Sequence, residues 1–276
     1  MTWDTLLIDG FDLTNLCTVV ETFEVDGSAD SIGGNYSVPG RDGEVWRQKA
    51  RGVGAAPVGI AILPTDPVTG IESLDPDERI AQFNRNWADI KRRVLVRRRP
   101  LTLSRRLSLP EGDTTITAQA EIPGGLSAAR INASTARAVL PFRLLDGCWF
   151  DEDSTSVTVT PSDSAFVRVS GTTDTANMTV TLTTNVAGPQ VLTNVSAGVS
   201  LTYTWPPELV GSSVRVDAWN YTVRRYPPGS TDYISSHTPF DHAGDKRFMV
   251  LDPGVGGNEL TLSAGSAVVE YRGAWL

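Results

Sequence analysis

The sequence predicts a two-domain chain. Residues 1–148 form an α+β domain, a β-sheet or split barrel with one helix, and residues 149–276 form an all-β sandwich. Three observations predict it. A single stretch, 76–94, has helical periodicity. β-type alternation surrounds that stretch on both sides. Beyond residue 150 the chain holds about nine short Val- and Thr-rich runs separated by Gly, Pro, Ser and Asn, the pattern of a sandwich or barrel. A length of 276 residues suits two medium domains better than one large core.

In chain order, 6–8 and 19–25 read as strands broken by Asp9-Gly10, a hairpin-type dipeptide. Residues 26–43, rich in Gly, Ser, Asp and Asn, read as a surface loop ending at a hairpin tip. Residues 44–53 carry Trp46 on one face of an extended strand, 54–57 read as a turn, and 58–63 (VGIAIL) as a buried strand. The helix has its start written in front of it. Asp75 is a candidate N-cap, Pro76 suits the first position, and Glu78 is placed to complete a capping box. Ile80, Phe83, Trp87, Ile90 and Val94 make one apolar stripe, which reads as packing on a sheet rather than as a ligand site. Strands follow at 114–122 and 138–145, with the domain boundary at Asp146-Gly147. The second half reads as strands at 157–160, 165–170, 178–184, 199–203, 214–219, 222–226, 248–251, 260–262 and 267–275.

Charge narrows the partners. The formal net charge is −8, with 17 basic and 19 acidic residues in 1–150 but 7 and 13 in 151–276. An acidic second half argues against nucleic acid as its ligand. The basic residues concentrate at Lys91, Arg92, Arg93, Arg97, Arg98, Arg99, Arg105 and Arg106. Three of them complement the helix dipole at its C-terminal turn. The rest fit a solvated strand face, a contact with an acidic protein surface, or a nucleic-acid footprint. No aromatic stacking platform accompanies them, which weighs against the last. Arg97, Arg98, Arg99, Arg105 and Arg106 are the candidate subunit-interface residues.

Catalytic chemistry finds no foothold. The sequence lacks G-x-S-x-G, P-loop and H-E-x-x-H patterns, so no catalytic residue, cofactor or metal site is assigned and the chain reads as a non-enzyme. His237 and His242 share a loop with Asp241 and Asp245, a spacing too weak for a metal centre. Asp151, Glu152 and Asp153 are consecutive, so extended backbone points neighbouring carboxylates apart; calcium is the alternative there. Met1-Thr2-Trp3-Asp4 lacks a basic start and an apolar run, so synthesis in a cytoplasm is expected, with Cys17 and Cys148 as buried thiols. No apolar run approaches the roughly 18 residues of a membrane span. Trp205, Trp219 and Tyr221 are candidates for a carbohydrate platform, with core packing or a loop edge as the other reading.

The closing stretch carries a family likeness. Leu251, Pro253, Gly254, Asn258 and Leu260, followed by Tyr271-Arg272, resemble the L-x-P-G-x-N-x-L segment and final Y-R strand of siphophage distal tail proteins, with two extra residues between Gly254 and Asn258. The segment 140–150 (LPFRLLDGCWF) is similar to that family's exit strand, and Asp217 with 220–223 to its V-D strand pair. The resemblance implies a ring-forming N-terminal domain, a hexamer coaxial with the tail tube, and a galectin-like C-terminal sandwich. It also implies the tail tube protein and the tail-tip hub as partners, and a place at the virion tail tip. A carbohydrate-binding module that contacts the host cell wall is the alternative.

Overall fold

A computed structural model describes residues 5–23, 31–32, 36–37, 44–45, 50–51, 53–95, 99–110, 112–235, 240–243, 249–254 and 256–276. The chain is mostly β, and it divides into two compact units, Met1–Trp149 with Leu276, and Phe150–Trp275.

In the first unit the strands run in the order Phe11–Asp12, Leu6–Ile8, Leu101–Leu109, Gly112–Glu121, Ala136–Leu144, Gly54–Ile62 and Thr18–Phe23. Leu101–Leu109 and Gly112–Glu121 pair along their length, as do Ala136–Leu144 and Gly54–Ile62. The two halves meet at the strand ends, where Ala120 faces Leu144, Glu121 faces Arg143, and the Leu145 amide donates to the Gln119 carbonyl (2.8 Å). Alternation decides which face is buried. Ala136, Ala138, Leu140, Phe142 and Leu144 turn inward. Between them Arg137 and Arg143 turn outward to Glu21 (2.7 Å) and Glu121 (3.5 Å).

The helix Pro76–Leu95 lies where its stripe predicts. The Asp75 carboxylate accepts from the Asp77 amide (2.8 Å). Glu78 does not close the box directly: it accepts from the Ser73 hydroxyl (2.6 Å), which itself accepts from the Asp75 amide (3.1 Å). Phe83, Ile90 and Val94 are buried, while Trp87 is half-buried with Lys91 over its ring. Asn86 interrupts the apolar face for a reason that periodicity does not carry. It is 7 % exposed, and its amide donates to the carbonyls of Leu63 (2.8 Å) and Thr65 (2.9 Å), pinning the loop that leaves strand Gly54–Ile62. Asn86→Ala orphans two carbonyls and should cost about 2 kcal/mol, read as a lowered urea midpoint at unchanged slope.

Three expectations need correction. Residues 54–57 are strand rather than turn: Pro57 faces Pro141 directly, and two residues without N–H groups fit a non-hydrogen-bonded pair of an antiparallel ladder. Asp9-Gly10 does turn a hairpin, with φ of 47° and 81°, but the returning strand is Phe11–Asp12. Thr18–Phe23 pairs instead with Gly54–Ile62. The loop expected at 26–43 contains paired backbone: Ser31–Ile32 with Ala50–Arg51, and nested inside it Tyr36–Ser37 with Glu44–Val45. Two-residue strands are too short to leave an alternation signal. Trp46, Glu24 and the tip at 38–43 lie outside the described residues.

The second unit has two sheets. One runs Thr155–Val159, Ser266–Tyr271, Met178–Thr183, Ser213–Asp217, Thr222–Tyr226, Ile234–Ser235; the other runs Ala165–Val167, Asn258–Leu262, Gly188–Asn194, Val199–Trp205, Phe240–Ala243. A single cluster of buried side chains draws on both, including Val180, Val216 and Val269 from the first and Leu192, Leu201 and Leu260 from the second. The strand Gly188–Asn194 is absent from the sequence expectation. Its inward positions include Gln190 and Asn194, polar residues that hide the alternation and are buried because each is hydrogen-bonded. Of the strand expected at 248–251, Met249, Val250 and Leu251 are buried, and Leu251 forms one isolated bridge to Thr175; Phe248 lies outside the described residues.

The closing segment shows what its motif residues do. Asn258, fully buried, donates to the carbonyls of Asp252 (2.8 Å) and Val167 (3.3 Å). Its Oδ1 accepts from the Asp252 amide (2.9 Å) and from Asn194 Nδ2 (2.9 Å). One side chain therefore fastens both ends of the turn 252–258. The longer turn is closed by the Gly257 amide donating to the Gly254 carbonyl (2.9 Å). Gly257 has φ +65°, a conformation glycine adopts without strain, and a Cβ there would crowd the Phe166 ring at 2.6 Å.

Candidate functional site

Of the arginines proposed to form an interface, Arg97 and Arg98 lie outside the described residues. Arg99 is exposed and sits 3.7 Å from Asp9. Arg106 is exposed and paired with Asp113 across the hairpin. Arg105 is a correction: it is only 5 % exposed, with its guanidinium 5.5 Å from the Phe23 ring centroid and 6.0 Å from that of Trp149. Consecutive strand residues point to opposite faces, so 105 goes in where 106 goes out. Arg93 is also occupied, bonded to Asp89 (2.7 Å) and stacked over Phe11 at 3.9 Å.

Beside the helix lies an open cleft of about 640 Å³ whose lining includes Phe11, Cys17, Asp66, Gln82, Asp89 and Arg93. Its acids are engaged. Asp66 accepts from the amides of Thr69 (2.8 Å) and Val68 (2.9 Å), which hold its carboxyl below the usual range, and Asp89 is paired with Arg92 and Arg93. Burial pushes the Cys17 thiol above its ordinary value, away from the thiolate a nucleophile needs. Cys17 and Cys148 are both buried and unbridged.

In the second unit, the carboxylate expected to stand apart at 151 is a structural acceptor. Asp151 Oδ2 accepts from the Gly273 amide (3.0 Å) and the Ser170 hydroxyl, and Oδ1 from Trp275 Nε1 (2.7 Å). Glu152 and Asp153 are exposed. His242 is in strand Phe240–Ala243, stacked on Phe240, rather than in a loop; His237 and Asp245 lie outside the described residues.

The three aromatic candidates have different fates. Trp205 is a correction: it is 1 % exposed, donates from Nε1 to Gln190 Oε1 (2.8 Å), and packs edge-on against Tyr203 at 4.8 Å. A ring in that position cannot meet a sugar. Trp219 is half-buried in a T-shaped contact with Phe150 at 5.3 Å. Tyr221 is 50 % exposed with φ +53°, in the turn where Asp217 accepts from the amide (2.9 Å) and side chain (2.8 Å) of Asn220.

The sequence reading missed a second aromatic group on the neighbouring strand. Tyr226 and Tyr233 have ring centroids 6.0 Å apart, and the Arg224 guanidinium lies 4.4 Å from the Tyr233 centroid. The signal available was the turn sequence Pro227-Pro228-Gly229 between the two tyrosines, which brings them back together.

These elements define a β-rich chain with the fold of a phage distal tail protein. The solved structure that shows this is the SPP1 Dit (gp 19.1) protein, a paradigm of the hub adsorption apparatus in Gram-positive infecting phages. It matches with a TM-score of 0.65 and 16 % identity over 99 % of each chain. Two structures of the phage P2 baseplate in its activated conformation, with Ca and with Sr, also align. The first covers 99 % of this chain and 98 % of its own at 9 % identity and TM-score 0.44; the second covers 98 % and 97 % at 10 % and 0.45. No protein-family model matches the sequence, and no curated protein matches it.

Proposed function

We propose that the chain is a non-enzymatic structural protein of a long non-contractile phage tail, a distal tail protein that assembles into a hexameric ring joining the tail tube to the tail-tip hub or baseplate. The observation that carries this is the end-to-end likeness in fold to SPP1 Dit, which spans 99 % of both chains. The first unit, with its large sheet and one helix, is the ring-forming domain; the second, with two sheets over one core, is the galectin-like domain. Exposed strand edges and the exposed members of the arginine set, Arg99 and Arg106, are suited to pairing with acidic neighbours in such a ring. Its partners are further copies of itself, the tail tube protein and the hub, and its place is the virion tail tip after assembly in the host cytoplasm. Among the described residues no helix is long and apolar enough to cross a membrane.

Light scattering on the purified chain should find a species about six times the 29.7 kDa protomer as concentration rises. Gold-labelled antibody against the chain should mark the tail tip of intact virions. A virion with no label at the tip would sink the proposal whatever the mass in solution.

A further inference from the structure

The outer face of the six-stranded sheet in the second unit has a charge arrangement that folding alone does not favour. Val214, Val216 and Val223 point into the core, so Arg215 and Arg224 point out. The register places them directly opposite each other, in a row that reads Thr181, Arg215, Arg224, Ser235 across four strands. Like charges directly opposite on adjacent strands destabilise a sheet. Relief was available, because residues 151–276 carry 13 acidic groups against 7 basic. Yet among the described residues neither guanidinium has a carboxylate within ion-pair distance. Asp217, on the same face, is committed to Asn220 instead.

Beside this pair stand Tyr226, in the next row opposite Ser213, and Tyr233, which is 52 % exposed. Arg224 stacked on Tyr233 keeps the edge of its planar guanidinium open for donation while the ring fixes its orientation. Two cations held for an oxyanion, two adjacent aromatic rings, the hydroxyls of Thr181 and Ser235 in the same row and that of Ser213 in the next are complementary to one chemistry. We propose that this face binds an anionic saccharide, one carrying a phosphate or carboxylate group: Arg215 and Arg224 take the oxyanion, and the tyrosine rings pack on the C–H face of the sugar. An acidic protein segment would use the charges but leave the rings without a role. The proposal does not rest on ring assembly, and its failure would leave the mass and labelling measurements untouched.

The test is an NMR titration of the full chain with glucose 1-phosphate, glucuronate, glucose, inorganic phosphate and a hexaglutamate peptide, following the amides of 213–217, 222–226 and 233–235. Both charged sugars should saturate, at least about tenfold more tightly than glucose. The double variant Arg215→Ser/Arg224→Ser should lose that binding, and Tyr233→Ala should weaken the charged sugars about tenfold while leaving inorganic phosphate within about twofold. Circular dichroism melts check that these surface variants stay folded. No saturation by either charged sugar overturns the proposal. So does tighter binding of hexaglutamate, which would assign the face to an acidic protein, and so does a Tyr233→Ala variant that binds like the parent, which would leave only a site for simple anions.

Discussion

Asn258→Ala should lower the melting temperature of the second unit by about 10 °C or more. The side chain makes four hydrogen bonds in a fully buried position, to both backbone groups of Asp252, the Val167 carbonyl and Asn194 Nδ2. Each partner left buried and unsatisfied costs about 1–3 kcal/mol, and water entering the cavity recovers part of it, so a loss of about 3–5 kcal/mol is expected. Asn258→Asp separates the chemistry from the volume. An ionised carboxylate would face two carbonyls, while a protonated one could still donate to one of them. Its folded-state pKa must therefore lie above the unfolded value, so the penalty is least below that value and grows as pH rises through the carboxylate range. Asn194→Ala removes the shared bond, so the double variant should lose less than the two single losses combined. Scanning calorimetry of the whole chain reads all of these. A fall under about 1 kcal/mol for Asn258→Ala would show that the turn holds without its clasp.

The same residue shows what was legible in the sequence. The pattern Leu251, Pro253, Gly254, Asn258, Leu260 was visible as a likeness, but nothing in it says that Asn258 is buried or which carbonyls it holds. Periodicity finds residues whose burial follows from being apolar, so the helix Pro76–Leu95 and the strand Ala136–Leu144 were legible to within about two residues at either end. It misses polar residues buried because a partner satisfies them. Asn86 fell outside the stripe, and Gln190 with Asn194 hid a strand altogether. Trp205 was misjudged by the same gap: its neighbours Pro206-Pro207 suggested an edge, while the acceptor that lets it go inside is Gln190, fifteen residues away. Arg105 and Arg106 look alike in a basic run, and only the strand's phase tells them apart. The candidate face at Arg215, Arg224, Tyr226 and Tyr233 needs strand register to be seen at all, because no sequence window places two arginines nine apart in contact range.

Asp151→Ala should loosen the closing strand Ala274–Trp275. The carboxylate is the meeting point of three donors: the Gly273 amide, Trp275 Nε1 and the Ser170 hydroxyl. The backbone adds further bonds, from the Asp151 amide to the Gly273 carbonyl (3.0 Å) and from the Thr172 and Thr173 amides to the Ala274 carbonyl (2.9 and 3.2 Å). The space is filled as tightly as it is bonded, since a Cβ on Gly273 would meet the Ser170 carbonyl at 2.3 Å. Hydrogen bonds to a charged acceptor are worth about 1.5–3 kcal/mol each, and partial hydration of the freed donors brings the expected cost of Asp151→Ala to about 3 kcal/mol. Asp151→Asn is the sharper variant, because it keeps the volume and removes the charge. With donors arriving at both oxygens, its NH₂ must face one of them, so it should recover little of the stability that Ala loses. Hydrogen exchange localises the effect: the Gly273 amide and the Trp275 indole N–H should lose most of their protection, while amides in Met178–Thr183 should change far less. Protection at Gly273 and Trp275 equal to that of the parent chain would mean that the strand is held by its backbone and the Trp275 ring alone, with the carboxylate incidental.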